Sequence, residues 1–372
     1  MRILHVVPTY LPATRYGGPI YAVHGLCRAL VARGHDVSVF TTNVDGPRDS
    51  DVPLDIPVFL DGVRVRYFRS GLRRLYVSRD LKRSLRAEMK DFDLLHLHSV
   101  FLWPTFAAAK EAQRAAVPYV ISPRGMLVPE LIRERSRWVK NAWLRLFERR
   151  TFAGAQAVHV TSQRELDDAR RTGLPLPRPF VIPNGIDIVP RPAVPRAART
   201  VLYFGRLSWK KRIDVLVDAL SKIPEARLVI AGNDEEGLTP QLQDRANRAG
   251  VSARVTFAGA IDPEARWELL AQATVLALPS LSENFGNVVL EAMMMETPVV
   301  LTPSVGLAPD VLAARAGIIT DDFGTSLRTL LEDGGLRADL GRNGRALVES
   351  EFNWQTVAAR MEEAYCSIAS RR

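Results

Sequence analysis

The sequence predicts an α/β protein of two doubly wound domains facing a central cleft, on three observations. Short apolar strands alternate with helix-length amphipathic segments along the whole chain, the pattern of parallel sheets covered by helices. A proline-rich stretch, Val189-Pro-Arg-Pro-Ala-Val-Pro195, interrupts the alternation near the middle and reads as an interdomain linker. The 372 residues, 47% of them hydrophobic, suffice for two ordinary cores.

In the first half the apolar runs predict strands at Ile3–Val7, Val37–Phe40, Val63–Tyr67, Leu94–Leu97, Tyr119–Ile121, Ala157–Val160 and Val181–Ile182, with helices at Ile20–Ala32, Thr105–Ala115 and Arg137–Phe152. Past the linker, strands are predicted at Val201–Phe204, Leu228–Ile230, Val255–Phe257, Val275–Ala277 and Val299–Leu301. The domains expected are 1–184 with 352–372, and 185–351. In such sheets ligands sit beyond the carboxyl ends of the strands, where strand order reverses. Residues of interest should therefore follow strands.

Composition narrows the function classes. Charged residues make up 24% of the chain, as in soluble globular proteins, and no apolar run approaches the roughly 20 residues of a membrane span. The N-terminal apolar run is short and reads as a strand, not a signal peptide. Cys27 and Cys366 lie at opposite ends and offer neither a disulfide framework nor metal-ligand spacing, so a cytoplasmic setting is expected. The net charge of +9 is uneven. Residues 1–184 hold 29 Lys+Arg against 17 Asp+Glu, a balance of +12, and the remainder holds 21 against 24, a balance of −3. A basic first half suggests a polyanion, nucleic acid or anionic membrane, or else a merely Arg-decorated surface.

Three segments after strands carry chemistry. The first is Ser280-Leu-Ser-Glu-Asn-Phe-Gly-Asn-Val-Val-Leu-Glu-Ala-Met293, a loop leading into a helix near Gly286 or Asn287. The amides of Phe285 to Val288 at that helix start can receive an anion. Glu283 can grip sugar hydroxyls or cap the helix, and Glu291 can take both hydroxyls of a ribose or stand solvated. The second is Phe204-Gly-Arg-Leu-Ser-Trp-Lys-Lys-Arg-Ile-Asp214. Arg206 and Lys211 are two fixed cations able to neutralise a departing diphosphate without a metal, although cations are unfavourable at a helix start. The third, Pro8 to Pro19, holds Gly17-Gly18 before a helix opened by Pro19, which lets backbone approach a phosphate or sugar closely. Neither G-x-G-x-x-G nor G-K-[ST] is present, which disfavours dinucleotide binding and a P-loop.

These segments, with Val181-Ile-Pro-Asn-Gly-Ile-Asp187 at the domain junction, resemble the retaining glycosyltransferases of family 4, which have the GT-B fold. The glutamate pair eight positions apart in S-E-N-F-G-N-V-V-L-E-A-M, together with G-R-L-x-x-x-K, carries the resemblance. It extends over nearly the whole chain, including the closing Phe352-Asn-Trp354 helix, which in this fold crosses back to the first domain. The resemblance implies transfer of a sugar from a nucleotide-diphosphate sugar with its α configuration kept and without a metal or cofactor. It places Glu291 on the ribose, and Glu283 with Asn284, Phe285, Gly286, Asn287 and Val288 on the donor sugar and phosphates. Arg206 and Lys211 fall on the diphosphate, Gly17 and Gly18 approach it from the first domain, and Gly259-Ala-Ile261 meets the base. Asp91-Phe-Asp93 is then no metal motif.

His96 and His98 share one face of their strand. His98, nearer the carboxyl end, resembles an active-site histidine of some family members, against the alternative of a structural role. Where several relatives carry a histidine after the next strand, this chain has Arg124. Arginine cannot act as a base but can grip an acceptor phosphate, as in bacterial members that build polysaccharide on lipid diphosphates. Residues 64–90 hold ten cations against Asp80 and Glu88, and residues 133–150 add seven cations with Trp138, Trp143 and Phe147 at helical spacing. That composition suggests peripheral binding to the anionic inner membrane face, or aromatics that simply pack their helix down. The rival readings are transfer to a small soluble acceptor such as a sugar phosphate, and a non-catalytic nucleotide-sugar or nucleic-acid binder. No fold-specific RNA motif supports nucleic acid.

Overall fold

A computed structural model describes residues 1–13, 17–129 and 143–370. The chain forms two compact units, one of Met1–Gly185 with Trp354 to the C-terminus, the other of Ile186–Asn353.

The first unit is built on eight strands: β1 (Arg2–Val6), β2 (Asp36–Thr42), β3 (Pro57–Leu60), β4 (Val63–Phe68), β5 (Leu94–His98), β6 (Tyr119–Ser122), β7 (Ala157–Val160) and β8 (Pro179–Val181). Their spatial order is β8-β7-β6-β5-β1-β2-β4-β3. All pairs are parallel except β3 on β4, an antiparallel edge. A parallel sheet must be buried on both faces, and one apolar cluster lies on each face: one around Leu81, Leu95 and Phe152, the other around Val23, Val39 and Tyr365. The chain winds outward in both directions from the neighbours β1 and β5, so strand order reverses between them.

The helix Trp354–Ala369 returns to this unit and packs on the helix Gly18–Ala32. The Trp354 ring lies so close to Gly25 and Gly185 that a Cβ on Gly25 would come within 2.2 Å of it and one on Gly185 within 2.5 Å. Any larger residue at either position would push the helix off.

The second unit carries β9 (Thr200–Phe204), β10 (Arg227–Ala231), β11 (Val255–Gly259), β12 (Val275–Leu278), β13 (Val299–Leu301) and β14 (Gly317–Ile319). They are parallel in the order β11-β10-β9-β12-β13-β14, which is the dinucleotide-fold order 3-2-1-4-5-6 with its switch point between β9 and β12. One continuous apolar core runs through it. The loops that leave β9 and β12 are the two singled out from sequence.

Two expectations changed. The strands β3 and β14 carry too little alternation to announce themselves, and they form at the two sheet edges. Val189–Pro195 is no free linker, since it belongs to the second unit. Arg191 donates to the Met295 and Ala271 carbonyls, and Arg196 to those of Ala273 and Glu296 and to Thr297, while Val189 and Val194 pack on the core. Of the expected helix Arg137–Phe152, residues 137–142, Trp138 among them, lie outside the described residues; from Trp143 on the chain is helical to Ala153, as expected.

Candidate functional site

In the second unit the turn after β9 places Arg206 and Lys211, and the loop after β12 places Glu283. Backbone bonds tie these loops to each other and to the loop after β13: Leu281 N donates to Lys210 O at 2.8 Å, Gly306 N to Glu283 O at 2.9 Å, and Glu283 N to Ser304 O at 3.2 Å. The Lys211 ammonium forms an ion pair with Glu283, both side chains largely buried. Arg206 is more open and pairs with Glu235 at 3.3 Å. Glu236 accepts from Ser208 and from Trp209 N, each at 3.0 Å. Both cations therefore meet carboxylates that an incoming diphosphate, carrying more charge, can displace.

Gly286 caps the helix Asn287–Met294 with φ 98°, and a Cβ there would meet Val305 at 3.1 Å, so both the turn and the space call for glycine. Phe285 is buried 6.3 Å from the Phe352 ring and anchors the loop through its side chain. Asn284, Asn287 and Val288 surround the helix start. Glu291, inside the helix, pairs with Arg266 at 3.3 Å. Burial raises its pKa, and the Arg266 charge opposes that rise.

Beside these loops lies a cavity of about 260 Å³ lined by Leu207, Ile230, Asn233, Asp234, Phe257 and Ala260, among others. Its lining mixes apolar side chains with Asn233, Asp234 and Thr239, and it sits at the carboxyl ends of β9, β10 and β11. Gly259 and Ala260 line it, while the Ile261 side chain packs against the core. One determinant was missed from sequence: Gly232, at φ 134°, whose Cβ would fall 1.9 Å from the Gly205 carbonyl oxygen. A glycine directly after an apolar strand was the available signal, since it marks close backbone approach.

In the first unit, Gly17 precedes the helix Gly18–Ala32 at φ 66°, a backbone conformation that calls for glycine, and among the described residues nothing lies within 4 Å of a Cβ there. Thr14–Tyr16 lie outside the described residues. His98 ends β5 and is buried, with its ring centroid 4.1 Å from that of His96.

Hydrogen bonds settle the tautomers, because some partners act only one way. Arg124 can only donate, and its Nε and Nη2 reach His98 Nδ1 at 3.3 and 3.2 Å. His98 therefore carries its proton on Nε2 and donates to His5 Nδ1 at 2.9 Å. The Ile182 carbonyl can only accept, so His159 donates from Nε2 at 2.8 Å. Ser122 then donates to His159 Nδ1, His96 Nε2 to Ser122, and Tyr365 to His96 Nδ1, each at 2.6 Å. Burial, then the Arg124 charge, lowers the His5 and His159 pKa values to about 3. Burial is also the first cause that holds His96 and His98 well below their ordinary value. The outermost ring nitrogen of His98 is occupied by Arg124, an arrangement suited to orienting that guanidinium.

Among the described residues, His5, His96 and His98 are close enough to offer three nitrogens to a metal. Both nitrogens of His96 and of His98 already serve hydrogen bonds, and Arg124 adds a repelling cation. The trio does not fit a metal ion without dismantling this network.

Arg124 follows β6 at φ 57°, and its Nη1 donates to Asn184 at 2.9 Å. Its partners are thus neutral, and no carboxylate among the described residues lies within ion-pair distance. Glu165 acts on it through space but spends its oxygens on Gly125 N and Thr161.

The basic segment divides in two. Arg66 is tied to Asp55 and Glu88, and Arg73 to Asp49 and to the Gly46 and Arg48 carbonyls. Arg69, Arg74, Arg79, Lys82, Arg83, Arg86 and Lys90 are exposed. Trp143 donates to Glu148 at 2.9 Å, and Phe147 lies 5.0 Å from Phe106, so these two aromatics pack within the unit.

Residues 17–185 match the family described as Glycosyl transferase 4-like domain, and residues 188–347 the family described as Glycosyl transferases group 1. The glycogen synthase of Mycobacterium tuberculosis is 30% identical over 100% of this chain and 95% of its own length. The D-inositol 3-phosphate glycosyltransferase of Xylanimonas cellulosilytica is 29% identical over 100% and 97%. The sucrose-phosphate synthase of Thermosynechococcus elongatus superposes with a TM-score of 0.78 at 23% identity, covering 100% of both chains. Anabaena HepE, solved in complex with UDP-glucose, gives 0.76 at 21% identity over 99% and 100%. The chain belongs to the glycosyltransferases of GT-B fold. No helix among the described residues is long and apolar enough to cross a membrane.

Proposed function

We propose that the protein transfers a sugar from a nucleotide diphosphate to a phosphate-bearing glycan acceptor, with retention of configuration and without a metal, at an anionic membrane surface. In this reading Arg206 and Lys211 take the diphosphate, Glu283 the donor sugar, Glu291 the ribose and the 260 Å³ cavity the base. The bond from the sugar's anomeric carbon to the diphosphate breaks, and its electron pair leaves with the phosphate oxygen. The acceptor hydroxyl bonds to that carbon, and its proton passes to the departing phosphate. Lys211, largely buried, supplies the fixed positive charge that lowers the barrier to departure.

The observation that carries the acceptor assignment is Arg124, a guanidinium oriented by His98 and Asn184 with no carboxylate partner among the described residues. Such a fork matches a phosphate. The same chemistry serves a lipid diphosphate or a soluble sugar phosphate. The second source is supported by the relative named for D-inositol 3-phosphate, the first by the exposed cations of residues 69–90.

The test is a thermal-shift screen against UDP-, GDP- and ADP-sugars, then transfer assays in EDTA with the product anomer read by NMR. Activity retained in EDTA with an α product from an α donor is expected. Activity lost in EDTA and restored by Mg²⁺, or an inverted product, would overturn the mechanism. Use of a soluble sugar phosphate in preference to a lipid-linked acceptor would decide for the second source.

A further inference from the structure

Arg266 stands in the first turn of the helix Ala265–Gln272, where the helix dipole disfavours a cation. Its guanidinium carbon lies 4.6 Å from the Trp267 ring, its side chain is mostly buried, and its Nε is buried without a hydrogen-bond partner among the described residues. A pair selected only for stability would satisfy that nitrogen, because an orphaned buried donor is costly. Glu291 lies opposite at 3.3 Å, also mostly buried, and the contact is ionic. Both carboxylate oxygens keep lone pairs for hydroxyl donors.

The surroundings offer little other charge. The helix Asn287–Met294 carries no other ionisable residue, and the strand Val299–Leu301 packed on it carries none. From the helix Gly334–Glu351, Arg345 reaches back to the Met294 carbonyl. On Arg266's own helix, Glu268 is exposed.

We infer that Arg266 is a positioning residue that acts through Glu291, holding the carboxylate charged and aimed for the nucleotide's ribose. This rests on the reading of Glu291 as the ribose grip. Burial favours the neutral acid at Glu291, and Arg266 opposes it. Without Arg266 the carboxylate takes up a proton more readily as pH falls and accepts ribose hydroxyls less well.

The experiment measures binding by calorimetry from about pH 6 to about pH 8. The probe is whichever of UDP, GDP and ADP binds the native protein most tightly, together with its 2′-deoxy form. Native affinity is expected to be nearly flat with pH. Arg266→Gln should weaken ribonucleotide binding roughly ten- to a hundredfold at the acid end and less at the alkaline end. Arg266→Lys should restore the flat profile, and the 2′-deoxy nucleotide should respond less to either change. In a Glu291→Gln background Arg266→Gln should add nothing. If Glu291→Gln leaves ribonucleotide affinity unchanged, the ribose reading itself fails. If Glu291→Gln weakens binding but the Arg266→Gln loss is independent of pH, or persists fully in the Glu291→Gln background, the ribose reading stands and the role of Arg266 is overturned.

Discussion

Acidification should unfold the first unit through its histidine layer. His5, His96, His98 and His159 are held neutral, two of them with pKa values of about 3. In the unfolded chain each binds a proton near pH 6.5. Their folded values lie below the unfolded one, so the unfolded state binds more protons and stability rises with pH. The contribution is complete above about pH 7.5 and is lost progressively from about pH 6.5 toward about pH 3.

One unit below the unfolded pKa, each histidine costs about 1.4 kcal/mol, so four approach 6 kcal/mol near pH 5.5. For a unit of this size that is roughly 10–20 °C in its melting temperature. Glu148, in the same unit, has its value raised by burial and works in the opposite direction. The assay is scanning calorimetry of the full chain at about pH 7.5, 6.5 and 5.5, with limited proteolysis to assign each transition to a unit. His159→Gln, which cannot titrate, should have a shallower slope than the native protein. A first-unit transition that keeps its temperature down to about pH 5.5 would refute the reasoning, because the layer would then be charged or hydrated in the fold.

Arg124→Lys loses the fork held between His98 and Asn184, so acceptor kcat/KM should fall roughly ten- to a hundredfold, or about 1.5–3 kcal/mol, with donor affinity nearly unchanged. Lys211→Ala should show the reverse, and abolished nucleotide binding in Arg124→Lys would move that residue to the donor site. Gly232→Ala should cost more than 3 kcal/mol or remodel the base cavity, since the methyl would overlap the Gly205 carbonyl; an unchanged melting temperature with native nucleotide affinity would contradict this. Replacing the exposed Arg74, Lys82, Arg83 and Arg86 by Gln should release the protein from anionic vesicles by about 1 kcal/mol per cation, without unfolding. Undiminished vesicle binding would place the contact elsewhere. Arg73 is spared in that variant because it braces the turn Gly46–Asp49.

The sequence by itself determined most of the elements, the fold class and the family. Strand and helix periods are local, so Ala157–Val160 and Val299–Leu301 form where their apolar runs stand. The two charged loops after Phe204 and Pro279 were legible because chemistry in parallel sheets follows strands, whatever the strand order. Edge strands such as β3 and β14 were not, because their neighbours in the sheet supply what their own pattern lacks. Tertiary structure alone decided which charges meet. Lys211 and Glu283 are 72 positions apart and become partners only because β9 and β12 adjoin at the switch point. It likewise made His98 the acceptor of Arg124, and a proline-rich segment a strap tied by Arg191 and Arg196. Hydrogen-bond partners, burial and proton position arise from packing between distant segments, whereas periodicity and turn chemistry are properties of neighbours in the chain.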